Sequence, residues 1–447
     1  MRSRPSSTPA ARQPLGRSDL GRQRGADSPR VDTLVRILRA GILELPEFHT
    51  TEVATGVDTM DMSLSFDRTL QRLEQQVEEG LFTRGAQLAV EIGGERVLDA
   101  AIGDNGMSEA MSSGHVFRVY CTIKPITAIA IARLVDEALV GLDEPLERRL
   151  PDLPVLTGGV TLRHVLTHTA GLHRPTGIEM EILTPAKRRG AVGAAVRPPG
   201  WRLGVDAAYS EYAGWHVLGW LIETVSGQAL CEHLRECVLD PLGLHATWIG
   251  MTPAQYRDLL PTLGVNTDLR NLGGYPMLFE RSERICTETN PAHGGYTNAR
   301  DLARFYSSLL DRLHGGGIDA LPSSPTLRSL CSPARPPVYD EVLARECSYG
   351  LGFMTDLQQH AFGDHCGASS FGHSGNVGAS FAFADPERSL AVGVVFNGLV
   401  GHEAAFLRRR ALVNALYDDL DSDDRPPAAA TSLDGPPRRR FGLRPKR

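Results

Sequence analysis

Apolar residues recur in two rhythms along this chain, and the alternation of rhythms divides it. Phe66, Leu70, Leu73, Val77 and Leu81 fall at the spacing of one helix face. AQLAVEIGGERVLDAAIG (86–103) then predicts strand, turn, strand, with the turn at Gly93–Gly94. A long middle section predicts mostly helix, including ITAIAIARLVDEAL (126–139) and AGWHVLGWLIETVSG (213–227). Near the end, GASFAFADPERSLAVGVVFNGL (378–399) predicts two strands joined at Asp385–Pro386, and HEAAFLRRRALVNALYDDL (402–420) predicts a closing amphipathic helix. There is no internal repeat. Strands at both ends and helices between them pack most simply as one sheet with an inserted helical lobe. A site is then expected where the two lobes meet.

Outside this span the pattern weakens. Residues 1–30 and 421–447 are rich in Arg, Ser, Pro and Gly or finish in a basic run, and both predict disordered tails. Residues 31–65 carry a short stripe (Val31, Leu34, Val35, Leu38, Ile42) that predicts an N-terminal docking extension, leaving 66–420 as the main domain. The first thirty residues lack the apolar core of a secretory signal, and no run reaches the length of a membrane span, so a cytoplasmic protein is expected. With 42% hydrophobic and 22% charged residues and a net charge of −6, the 447-residue chain reads as globular, with neither nucleic acid nor membrane as a partner. Seven cysteines, none at CxxC spacing, signal neither a structural zinc nor a redox pair.

Chemistry concentrates first in VFRVYCTIKPITA. Cys121 and Lys124 stand three apart, on one face of a helix whose start is pinned by Pro125. A thiol there meets the positive end of the helix and an ammonium, the setting in which cysteines become nucleophiles. The spacing equally fits a buried cysteine beside a salt-bridged lysine, and on spacing alone that is the better reading. His164 and His168, four apart in LRHVLTH, have the spacing of two metal ligands, but no adjacent Glu completes the motif and no third ligand is evident. Neither metal nor cofactor is expected.

VYCTIKPITA resembles the Ser-x-x-Lys segment of the serine β-lactamase and penicillin-binding protein superfamily, in its class C, esterase and acyltransferase branch. Further segments resemble that family in order: GLDEPLERRLPDLP, VTLRHVLTHTAGL, PGWRLGVDAAYSEYAGWHVLGWLIETVSG, HGGYTNARDLARF, SYGLGF and FGHSGNVGASFAFADPERSLAVGVVFN. The resemblance covers roughly 66–420. It implies an α+β (mixed α/β) β-lactamase/transpeptidase-like fold, an antiparallel sheet flanked by helices with an all-helical insert. It also implies roles. Cys121 takes the place of the nucleophilic serine, Lys124 of the activating lysine and Tyr209 of the proton-shuttling tyrosine, with Tyr212 as the alternative register. His373, Ser374 and Gly375 match the Lys-Thr-Gly strand in a His-x-Gly variant. The N–H groups of Cys121 and Asn376 match the oxyanion hole.

Three departures from the family shape the functional expectation. A cysteine nucleophile forms a thioester, which reacts with amines more readily than with water, so transfer to an amine gains over hydrolysis and efficient β-lactam hydrolysis loses. Glu211 stands where the family often has Asn. Its carboxylate is read equally as a helix-start group and as one that pairs with Lys124 or receives an amine. His373 replaces a lysine, as a donor to substrate or as a structural hydrogen bond. The expected protein is an acyl-transfer enzyme, hydrolase or acyltransferase, acting on a small-molecule ester, thioester or amide in cytoplasmic secondary metabolism. Its partners are an acyl donor and an amine or alcohol acceptor. The rival reading is a binding protein that kept the pocket and lost the chemistry.

Overall fold

The computed structural model of the protein describes residues 64–423 except 81, 178 and 271–273. The expectations for the tails, for the 31–65 extension and for Leu81 lie outside or largely outside the described residues. Helix α1 (Asp67–Glu78) leads into the hairpin of β1 (Gly85–Ile92) and β2 (Glu95–Gly103), which turns through Gly93 and Gly94 at φ 59° and 91°. Positive φ at both positions is what a tight hairpin turn demands. After a short 3₁₀ turn (Tyr120–Ile123) come α2 (Lys124–Asp136), α3 (Ala213–Ser226) and α4 (Ala299–Leu313). The remaining sheet strands follow as β3 (Arg335–Asp340), β4 (Arg345–Tyr349), β5 (Met354–Thr355), β6 (Phe371–Ser374), β7 (Ser380–Asp385) and β8 (Leu390–Phe396), and α5 (His402–Asp423) closes the chain.

These strands form one antiparallel sheet in the order β2-β1-β8-β7-β6-β5-β4-β3. The first hairpin joins the later strands through β1 against β8, with Leu88 opposite Val394. Alternate side chains serve opposite cores. Ala89, Ala382, Ala384 and Ala391 share a core with Leu302, Ala303 and Tyr306 of α4. Leu88, Val90, Phe381, Phe383 and Val392 share the other with Leu412, Val413, Leu416 and Tyr417 of α5. Small residues on one face let α4 lie close, while large ones fill the space under α5. Each fully buried phenylalanine there contributes about 2–3 kcal/mol through lost apolar exposure.

Helix α2 is apolar around its whole circumference and is buried almost throughout, the pattern of a central helix. The sequence predicted a mostly helical middle. Between α2 and α4 the structure instead has one long helix, α3, and several short ones such as Leu162–Leu166, Pro185–Gly193 and Pro253–Leu259. It also has short strands at 248–249, 267–268 and 275–276, so the insert is not all helical. Its many prolines and glycines stop helices early. No helix among the described residues is long and apolar enough to cross a membrane.

Candidate active site

Cys121 sits in the 3₁₀ turn immediately before α2, with Pro125 in the first turn of the helix. Tyr120, one residue earlier, is held at φ 51°, a left-handed conformation that costs a tyrosine about 1–2 kcal/mol. Its hydroxyl is anchored, donating to Glu280 Oε1 at 2.8 Å and accepting from Asn266 Nδ2 at 3.1 Å. The turn is also tied to the sheet. Ser380 Oγ, on β7, lies 2.8 Å from Thr122 Oγ1 and donates to Val119 O at 2.7 Å.

Behind the thiol stands Lys124, fully buried. Its Nζ donates to the Glu211 carbonyl at 2.9 Å and to the Ala292 carbonyl. Burial pulls its pKa down, against the opposing influence of Cys121 and then of Glu211. Lys124 thus hydrogen-bonds to the Glu211 backbone, while the Glu211 carboxylate accepts from the Thr176 hydroxyl and acts on Lys124 through its charge. Tyr209 packs beside Lys124, its ring centre 5.6 Å from Nζ. Burial, and next the neighbouring Cys121, hold its phenol well above the usual range. Its backbone N–H donates to Asp340 at 2.9 Å, and Ala207 bridges to the same Asp340, so this segment hangs on the edge strand β3.

His373, on β6, is wholly buried. Its Nδ1 lies 3.0 Å from the Ser374 carbonyl, which requires Nδ1–H, and Nε2 accepts from Tyr349 Oη at 3.0 Å. Burial, reinforced by Lys124, keeps the ring neutral. Both nitrogens are taken, so of the two readings of His373 this geometry is that of a structural hydrogen bond, not of a donor to substrate. Ser374 Oγ is directed to Met354 Sδ at 4.0 Å. Gly375 is required for space, since a Cβ there would lie 2.3 Å from Val119 O and 2.4 Å from Ser380 Oγ. The Cys121 and Asn376 N–H groups lie among the first residues of short 3₁₀ turns, where the turn itself cannot satisfy them.

Cys121 opens forward onto a cavity of about 280 Å³, lined also by Glu211, Tyr212 and Asn376. Sequence reasoning missed the far wall of that cavity. There Arg118 pairs with Glu181 and with Glu280 (3.3 Å) and donates to His293 O (3.2 Å) and Nδ1 (2.8 Å). All four side chains are buried. Arg118 stands in the quoted VFRVYC segment as a charge in an apolar run, which was the one available signal. His168 is a structural support. It lies 4.6 Å from the Tyr209 ring and 4.7 Å from Tyr349, and its Nδ1 accepts from Ser210 N at 3.0 Å. His164 instead accepts from Thr161 N at 3.2 Å in a helix cap, so the two histidines have separate structural partners.

The sheet-and-helix fold defines a class, and the comparisons agree with it. The Beta-lactamase family profile matches residues 70–417, and the chain belongs to that family. It is 28% identical to Esterase EstB of Burkholderia gladioli over 43% of this chain and 54% of the relative. It is 31% identical to Monacolin J acid methylbutanoyltransferase of Aspergillus terreus over 28% of this chain and 36% of the relative. The chain spans about half or less of the length of each of these two relatives. Among solved structures, a penicillin-binding protein homolog from Caulobacter crescentus superposes with a TM-score of 0.65 at 26% identity, covering 79% of this chain and 97% of that one.

Proposed function

We propose that the protein is an acyl-transfer enzyme that forms an acyl-enzyme on Cys121 from a small-molecule ester, thioester or amide. The observation that carries this reading is the arrangement of Lys124. A neutral amine has two N–H groups, and the Glu211 and Ala292 carbonyls accept one each. The lone pair is then left for the Cys121 side, and burial favours that neutral state. In this reading Lys124 takes the thiol proton as Sγ attacks the carbonyl carbon. The Cys121 and Asn376 N–H groups hold the oxyanion. Tyr209, kept protonated, gives its proton to the leaving group and recovers one from Lys124. An acyl thioester remains, and an amine or water then attacks it, returning the thiol. The esterase and the acyltransferase among the relatives support both outcomes in kind.

The test is to acylate the protein with an activated ester, follow the adduct by intact mass, and release it with water alone or with a panel of amines. Release at least tenfold faster by an amine identifies a transferase. Release by water at the same rate identifies a hydrolase. Absence of any adduct overturns the proposal in favour of a binding protein, and unchanged turnover in Cys121→Ala overturns Cys121 as the nucleophile.

A further inference from the structure

The cavity in front of Cys121 has a charge imbalance that the acyl-transfer chemistry does not use. Three carboxylates, Glu181, Glu211 and Glu280, line it with two guanidiniums, Arg118 and Arg270. Both guanidiniums are already engaged. Arg118 is held between Glu181 and Glu280 and by His293, and Arg270 is turned onto Asp268 with hydrogen bonds of 2.9 and 2.6 Å. Glu280 is likewise satisfied, by Arg118, Tyr120 and Asn266. Glu181 and Glu211 differ from it. The contacts that Arg118 and His293 make with Glu181 both fall on Oε1, and half-buried Glu211 accepts from Thr176.

A second observation concerns a neutral group. Tyr212 lines the same cavity, is 2% exposed, and its buried hydroxyl makes no hydrogen bond of good geometry among the described residues, with Asn290 and Glu181 the side chains nearest to it. A buried hydroxyl left unpaired costs about 1–3 kcal/mol, which a bound group recovers. Glu181 lies close enough to raise the Tyr212 pKa further, after burial. A ligand that donates and carries positive charge suits two carboxylates and a phenolic oxygen together. A carboxylate ligand meets no uncommitted cation there. Met277 and Phe279 add an apolar side to the same cavity.

We infer that this cavity is a subsite for the protonated amine of a substrate, held between Glu181, Glu211 and the Tyr212 hydroxyl while an apolar body lies against Met277 and Phe279. The ammonium is a recognition group and not the attacking one. The inference deepens the acyl-transfer reading by naming a substrate class, and it rests on that reading for the meaning of the subsite.

The experiment uses the unacylated protein and three probes of one shape, 3-phenylpropylammonium, 3-phenylpropanol and 3-phenylpropanoate. Each is titrated by calorimetry and as a protectant of Cys121 against iodoacetamide, read by intact mass. The ammonium is expected to bind and protect at least about tenfold better than the alcohol, the value of one charge-assisted hydrogen bond, and the carboxylate least. Glu211→Gln and Tyr212→Phe should each remove several-fold of the ammonium's advantage and leave the alcohol unchanged. Glu181→Gln is expected to do the same, and Glu211→Gln keeps the test decisive if that more buried variant fails to fold. Equal binding of the three probes, or preference for the carboxylate, overturns the inference. Because these readouts need no acylation, they fail or succeed separately from formation of the acyl adduct.

Discussion

The two sides of Cys121 are built in opposite ways. Behind it, Lys124, Tyr209, His168, His373 and Tyr349 form a closed wall with no ion pair among them. Burial drives the lysine and histidines down and the tyrosines up. In front, Arg118 pairs with Glu181 and with Glu280 beside an open cavity. Of the rear groups only Lys124 is shifted toward the range in which a base takes a proton, and paired charges hold their positions. In the proposed reading, reaction belongs to the rear wall and recognition to the front.

Four substitutions or conditions probe that contrast, in falling order of expected effect. Lys124→Ala should slow acylation of Cys121 by about 10²–10⁴, the range of a general base, measured with an activated ester under single-turnover conditions. A loss below tenfold would remove Lys124 from the rear-wall chemistry. Arg118→Met leaves two carboxylates buried without their shared cation and should cost about 3–5 kcal/mol in urea unfolding. A stability equal to the parent's would mean that the front cluster is not held by its charges.

Acid should weaken both sides together. His216 stacks on Tyr212 at the front, and His360 meets Tyr349 edge-on at the rear. Burial brings each down to about 3 from an ordinary 6.5. The unfolded chain therefore binds more protons between those values, and stability present above pH 6.5 is lost as the pH falls below it. Between pH 7 and pH 5 each histidine should withdraw about 2 kcal/mol, read as a falling Tm, and a flat Tm would contradict their neutral burial. The smallest effect is expected for Tyr349→Phe, which removes the hydrogen bond to His373. It should cost about 1 kcal/mol in urea unfolding and leave binding of ammonium probes unchanged, and a change in that binding would blur the division between the two sides.

The rear wall was the more legible of the two. Cys121, Lys124 and Tyr209 lie in motifs whose order along the chain points to one fold, and the Gly93–Gly94 hairpin and helices α2, α3 and α5 follow directly from periodicity. The choice between Tyr209 and Tyr212 was not settled by counting residues. The Tyr209 backbone is held by Asp340, on a strand 131 residues away that no local pattern ties to it. The front wall left almost no trace. Arg118 meets Glu181 and Glu280 across separations of 63 and 162 residues, and carboxylates in one-turn helices carry too little periodicity to betray their partners. His373 was visible as a motif residue, yet its burial depends on Tyr349, which no local pattern ties to it.

The central claim is that Cys121 is the residue that carries the acyl group. Burial holds the thiols of Cys237, Cys286, Cys331, Cys347 and Cys366 up, the last two to about 11 and about 12, which makes them poor nucleophiles. Brief exposure to p-nitrophenyl acetate, an acid quench and peptide mapping by tandem mass spectrometry locate the acetyl group directly. A single acetyl on the peptide bearing Cys121, absent in Lys124→Ala over the same interval, is the result this account predicts. Acetyl on another cysteine with Cys121 unmodified would contradict it.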